Sequence, residues 1–196
     1  MTDFAKKDAF DDETFKKDQD LLNHKNLQAK SFSHCVFDSI DFTGGNFCGS
    51  KFADCSFVNC NVSLVKFDGS RLQNVTFEDC KVVGANFCKC DPLFLFLKFK
   101  KSVLKSCNFS DLNLKETVFS GCSVQDTYFT STNLAQADFS HSDLKGSMFH
   151  NTVLTKANFQ RAINYSIHPL NNKLKGALFS QPEVLSLLDS FQIVIE

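Results

Sequence analysis

Tryptophan is absent from this chain of 196 residues, and tyrosine occurs only twice. No apolar run approaches the roughly 20 residues that cross a bilayer. Met1 to Asp20 is dense in Lys and Asp, unlike a secretion signal. The expectation is a soluble cytoplasmic protein with no membrane partner. Catalytic spacing is missing as well: there is no phosphate loop, no H-E-x-x-H and no dinucleotide fingerprint. None of His24, His34, His141, His150 and His168 is spaced to pair with a nucleophile and an acid. A non-enzymatic protein without catalytic, cofactor or metal residues follows as an expectation. Charge of one sign is lacking too, since 21 Lys and Arg meet 22 Asp and Glu.

Phenylalanine is plentiful, at 23 residues, and its placement is regular. A large apolar residue recurs at every fifth position: Leu27, Phe32, Phe37, Phe42, Phe47, Phe52, Phe57, Val62, Phe67, Leu72, Phe77, Val82 and Phe87. The count restarts at Phe99 and runs through Leu104, Phe109, Leu114, Phe119, Val124, Phe129, Leu134, Phe139, Leu144, Phe149 and Leu154 to Phe159. Helices need apolar spacing near 3.6 and half-buried strands near 2, so a strict five points to a repeat architecture. With 43% hydrophobic residues, one elongated domain has enough apolar material for a continuous core.

Nine cysteines without a secretion signal favour reduced thiols. Cys35, Cys55, Cys60, Cys80, Cys107 and Cys122 each stand two residues before a central residue, a slot otherwise held by small residues such as Ala85 and Ser142. There they read as small hydrophobes. Cys88 and Cys90 leave that pattern, but C-x-C without further ligands is a weak metal signal.

Asp or Asn often precedes the central residue, as in Asp41-Phe42, Asn46-Phe47, Asn108-Phe109, Asp138-Phe139 and Asn158-Phe159. With Asn133-Leu134-Ala135-Gln136-Ala137-Asp138-Phe139, this resembles the pentapeptide repeat family, whose consensus is A(D/N)LXX, over about residues 27 to 162. The resemblance implies an all-β fold: a right-handed quadrilateral parallel β-helix, four pentapeptides to a square coil. The central residue i and residue i−2 would point inward. Residues twenty apart would then be vertical neighbours about 4.8 Å apart.

One column is expected to hold Leu27, Phe47, Phe67 and Phe87, and another Phe37, Phe57 and Phe77. If the irregular stretch 88–98 is a two-residue bulge, these continue as Phe109, Phe129, Phe149 and as Phe99, Phe119, Phe139, Phe159. A single β-helix over 27–165 is the expectation, with an N-terminal cap at 1–26 anchored by Phe4, Phe10 and Phe15. A C-terminal cap at 166–196 would carry a helix near 181–190. Ser180-Gln181-Pro182-Glu183 reads as a capping box with Pro in the first turn. Val184, Leu187, Leu188 and Phe191 follow at helical spacing.

In Qnr-type and MfpA-type members such a helix joins two rods, so the resemblance implies a homodimer through those four residues. Phe94 and Phe96, in the apolar bulge, are candidate partner contacts. The leading expectation is a protein-interaction scaffold whose partner is unknown. The alternative implied by the family is a DNA-mimicking binder of DNA gyrase or topoisomerase, of the quinolone-resistance type. Residues 31–165 hold twelve acids against thirteen Lys and Arg, which argues against a phosphate-like field. Lys98, Lys100, Lys101 and Lys105 form too small a basic cluster to imply direct nucleic-acid binding.

Overall fold

The computed structural model describes residues 7–17, 26–93 and 95–193. The chain winds as a right-handed quadrilateral β-helix, a parallel solenoid of about eight turns, with one short helix at its C-terminal end. Strands two to four residues long form the sides. Residues twenty apart pair in parallel register, as Phe37 with Phe57, Phe57 with Phe77, and Phe32 with Phe52.

Four faces result. Face 1 carries Leu27, Phe47, Phe67, Phe87, Phe109, Phe129 and Phe149, and face 3 carries Phe37, Phe57, Phe77, Phe99, Phe119, Phe139 and Phe159, all buried. On face 3 the rings stack at centroid distances of 4.7, 5.0, 5.1, 5.3, 4.8 and 5.1 Å from Phe37 up to Phe159. Edge-to-face contacts join the two files, as between Phe119 and Phe129 at 5.7 Å. Faces 2 and 4 hold smaller Leu and Val side chains for most of the rod, which leaves room for the rings between them. Each buried ring is worth about 1.5–3 kcal/mol in area alone, and each ring pair adds about 0.5–1.5 kcal/mol.

The polar residues have local causes. An Asp or Asn at i−1 accepts a hydrogen bond from the backbone N–H of i+1, as Asp41 does from Thr43, Asn133 from Ala135, and Asp138 from Ser140. This Asx turn pairs an amide at the corner and accounts for the Asp/Asn preference. Residue i+2 takes a left-handed backbone with or without such a turn, for example Gln136 at φ 60° after Asn133 and Asp54 at φ 54° after Lys51. At Gly84 (φ +68°) an added Cβ would also stand 2.8 Å from Leu64 Cδ2 of the coil before it. Glycine fits there on both counts.

Small residues at i−2 do more than fill space. At an open corner, the carbonyl of i and the amide of i+3 do not bond each other, and a side chain from the next coil inserts between them. Ser102 donates to the Phe77 carbonyl at 3.2 Å and accepts from the Cys80 amide at 3.0 Å. Ser147 does the same for Val124 and Thr127, at 2.8 and 3.2 Å. Cys60 donates to the Phe37 carbonyl at 3.2 Å and accepts from the Ile40 amide at 3.5 Å. The cysteines thus serve partly as hydrogen-bonding groups, which a reading of them as small hydrophobes leaves out.

The register shifts at three places without breaking the columns. Across the central break Phe77 pairs with Phe99 and Val82 with Leu104, twenty-two apart, and the rings of Phe87 and Phe109 stay stacked at 4.6 Å. A second shift lies near the N-terminus, where the structure differs from the expected cap. Ala9–Asp11 and Thr14–Lys16 are strands that pair Phe10 with Phe32 and Phe15 with Phe37. Phe10 and Phe15 therefore belong to the coil, and Phe4 lies outside the described residues. The third shift shortens one turn, so that Phe149 pairs with Ile167 before Phe159 regains its twenty-residue partner Phe179.

The C-terminal helix also differs from expectation. It is a 3-10 helix, Glu183–Phe191, and its N-cap is Pro182, without a side-chain capping bond. The Ser180 hydroxyl instead accepts from the Arg161 amide at 3.1 Å, so the capping box does not form.

Candidate functional site: the central break and the C-terminal cap

Side chains that fill the coil are committed to packing, so recognition falls to what projects from it. Exposed apolar side chains are scattered along the coil among the described residues, as at Leu64, Tyr128, Met148, Ile163 and Leu170, and two regions present them where the regular winding is interrupted or ends. In the first, the chain leaves face 2 at Asp91, whose amide donates to the Ser70 carbonyl at 2.8 Å. It returns at Phe96, which donates to the Leu72 carbonyl at 3.1 Å and accepts from the Val75 amide at 2.9 Å. Asp91 fixes the exit by accepting from the Leu93 amide at 3.0 Å and from Arg71 Nε at 2.8 Å. Those donors, the Leu93 amide first, hold its carboxyl below the usual carboxylate range.

Within this clipped segment the apolar residues divide. Leu95 and Leu97 turn into the core, whereas Leu93 is 62% and Phe96 59% exposed. Phe94 lies outside the described residues. The strand that follows presents Lys98 and Lys100 outward on face 3, Lys101 stands exposed at the next corner, and Val103, 44% exposed, begins the strand on face 4.

The second region is the C-terminal end. Residues three apart eclipse in a 3-10 helix, so the expected single stripe splits into two rows. Leu187, in the row with Val184, packs partly against the core. Leu185, Leu188 and Phe191 form the other row, in which Leu185 and Phe191 are 44% and 48% exposed. Beneath the helix lies Tyr165, buried against the rings of Phe159 and Phe179 at 5.8 and 5.6 Å. Among the described residues its hydroxyl has no hydrogen-bond partner. Burial, followed by the nearby Glu183 charge, pushes that hydroxyl up to about 12. Sequence reasoning did not single out Leu185 or Tyr165, which stand outside the five-residue count, and did not name Leu93 or Val103 as contacts although the former lies in the apolar bulge and the latter in an outward slot.

The family described as a pentapeptide repeat region matches residues 30–92 and 94–163. The chain belongs to the pentapeptide repeat family. No curated protein sequence matches it. Among solved structures, this pentapeptide repeat protein is similar to a trypsin-treated variant of QnrB1, a plasmid-mediated fluoroquinolone resistance protein, at 18% identity and TM-score 0.42, covering 97% of this chain and 98% of that one. It is also similar to HetL, a protein involved in heterocyst differentiation regulation in Nostoc sp. strain PCC 7120, at 14% identity and TM-score 0.38, with 89% and 88% covered. A third is AT2G44920 from the Arabidopsis thaliana thylakoid lumen, at 22% identity and TM-score 0.30, with 64% and 68% covered.

Among the described residues no group of His, Cys, Asp or Glu could hold a metal ion. No helix among them is long and apolar enough to cross a membrane. His34 stands on the corner after face 2, with Asp11 Oδ1 3.1 Å from Nδ1, and that hydrogen bond is the main reason its pKa is raised. The pair is exposed, and its neighbour at 4.0 Å is another carboxylate, Asp54. Burial makes most of the thiols inert, pushing Cys55 and Cys90 up to about 12 and Cys107 and Cys122 to about 11.

Proposed function

We propose that this protein is a cytoplasmic, non-enzymatic scaffold that binds a protein partner through its central break. The carrying observation is the pair of exposed apolar side chains, Leu93 and Phe96, held on a segment hydrogen-bonded at both ends. Such a patch on a polar rod fits an interaction site, because apolar groups fixed away from the core lose little conformational freedom on binding. Pairing of two rods through Leu185, Leu188 and Phe191 of the C-terminal helix belongs to the same reading, and the exposed row supports it.

The gyrase-binding alternative comes from the family resemblance. Duplex mimicry needs a continuous acidic surface, whereas each face here mixes signs. Face 1 carries Lys66 with Asp68, face 2 Lys51 with Asp54, face 3 Glu78 beside Lys100, and face 4 Lys105 with Asp126. A scaffold is the better-supported reading. Its test is affinity capture with the intact protein and the Phe96→Ser variant, run beside a gyrase supercoiling assay with and without quinolone. The scaffold reading expects a captured partner lost from the variant and no effect on gyrase. Unchanged capture, or protection of gyrase, overturns it.

A further inference from the structure

The geometry points to a docking strip for an acidic segment of a protein partner, running from Phe96 to Val103 across faces 3 and 4. This deepens the scaffold reading and rests on it. Phe96 and Val103, 59% and 44% exposed, stand at the two ends of the strip. Lys98, Lys100 and Lys101 project between them, and Lys81 lies beside Val103 in register. Two apolar contacts thus bracket a row of ammonium groups.

The charge is concentrated there. Residues 81–115 hold seven Lys and two Asp, in a chain whose formal net charge is −1. Neighbouring cations have carboxylate partners: Arg71 with Asp91, Lys89 with Asp68, Lys105 with Asp126, and Lys115 with Glu116. Among the described residues Lys81, Lys98, Lys100 and Lys101 have no carboxylate within ion-pair distance; Lys98 donates to Asn74 Oδ1 at 3.2 Å. Of these, Lys98, Lys100 and Lys101 are available to an incoming acid on the upper side, whereas Lys81 lies on the coil below with Glu78 and Asp79.

The surroundings choose among anions. Glu78 lies beside Lys100 and Asp79 beside Lys101 on the coil below, so that border repels negative charge. On the coil above, Val118 bridges to Lys98, and Ser120 and Gly121 follow it without charge; Glu116, two residues before Val118, is paired with Lys115. An extended segment can lie along the upper border with carboxylates on the lysines and one apolar side chain against Phe96. A nucleic acid would find one aromatic ring where stacking needs several.

The probe is a short glutamate-rich peptide with one central leucine, followed by fluorescence anisotropy at low ionic strength. Saturable binding that weakens with added salt is expected. Reversal of the strip by Lys98→Glu, Lys100→Glu and Lys101→Glu should weaken it about tenfold or more, because like charges replace complementary ones. The milder Lys100→Gln, Lys101→Gln variant should weaken it less, and far-UV circular dichroism should show the same fold for both. Phe96→Ser should weaken the leucine peptide and leave a leucine-to-serine peptide unaffected. Reversal at the far end, Lys156→Glu with Lys175→Glu, should change nothing. The inference is overturned if the peptide does not bind, if strip reversal leaves binding intact, or if a single-stranded oligonucleotide of equal charge binds as tightly. Should the peptide fail while Phe96→Ser still loses the captured partner, the scaffold reading stands and the acidic chemistry falls.

Discussion

Ser102→Ala tests the corner insertion directly. Ser102 is 1% exposed, and the one proton of its hydroxyl is shared between the Phe77 carbonyl at 3.2 Å and the Lys100 carbonyl at 2.9 Å, the latter already paired with the Asp79 amide, while its oxygen accepts from the Cys80 amide at 3.0 Å. Alanine fits the slot, since Ala85, Ala137 and Ala157 occupy equivalent positions. Deletion of the oxygen therefore creates little void but strands two buried backbone groups, the Phe77 carbonyl and the Cys80 amide. Each costs about 1–3 kcal/mol when left unpaired, so about 2–4 kcal/mol is expected after some relaxation. Ser102→Cys should recover most of this, because Cys60 already performs the same bridge at the Phe37 corner. Urea unfolding followed by circular dichroism gives the free energies, and hydrogen exchange at the Cys80 amide localises them. If Ser102→Ala costs less than about 0.5 kcal/mol, or if serine, cysteine and alanine are equivalent there, the corner bond carries no weight.

Tyr165→Phe removes a buried hydroxyl that has no partner among the described residues; thermal unfolding should show no loss and a gain of up to about 1 kcal/mol, and a clear destabilisation would mean that the hydroxyl is paired. Thiol labelling of the native protein should reach exposed Cys88 first and half-buried Cys48 next, with the seven buried thiols protected until unfolding. Fewer than nine thiols after unfolding without reductant would contradict the reduced state, including for the neighbours Cys35 with Cys55 and Cys60 with Cys80. Light scattering on protein truncated before Ser180 should show half the full-length assembly mass, and an unchanged mass would refute pairing through the helix.

The columns were legible because one residue type recurs on one count. Even the central break left its trace, since Phe continued on the same two faces when two residues were discounted. The N-terminal strands were hidden by the same arithmetic run once: Phe10 and Phe15 are five apart but sit twenty-two from Phe32 and Phe37, and no long series on their far side exposed the offset. The corner bonds were illegible for a different reason. They join residues 23 or 25 apart, such as Cys60 to Phe37 and Ser102 to Phe77, and only stacked coils bring those atoms together. At the C-terminal end local chemistry misled, because Ser180 had a tertiary donor in Arg161 that outcompeted its own helix. The exposed strip was half visible: its lysines stood out, but a small cluster gave no sign of which neighbours would neutralise it.

The central break shows that this shaft can change length at one corner and keep its alignment. Phe77 and Phe99 meet at 5.1 Å across it, no farther than rings joined by an uninterrupted turn. The disturbance is absorbed between Asp91 and Phe96. A longer insert at that point should leave the segments on either side docked as they are now, which makes it a natural port for grafting new binding sequence onto an otherwise fixed frame.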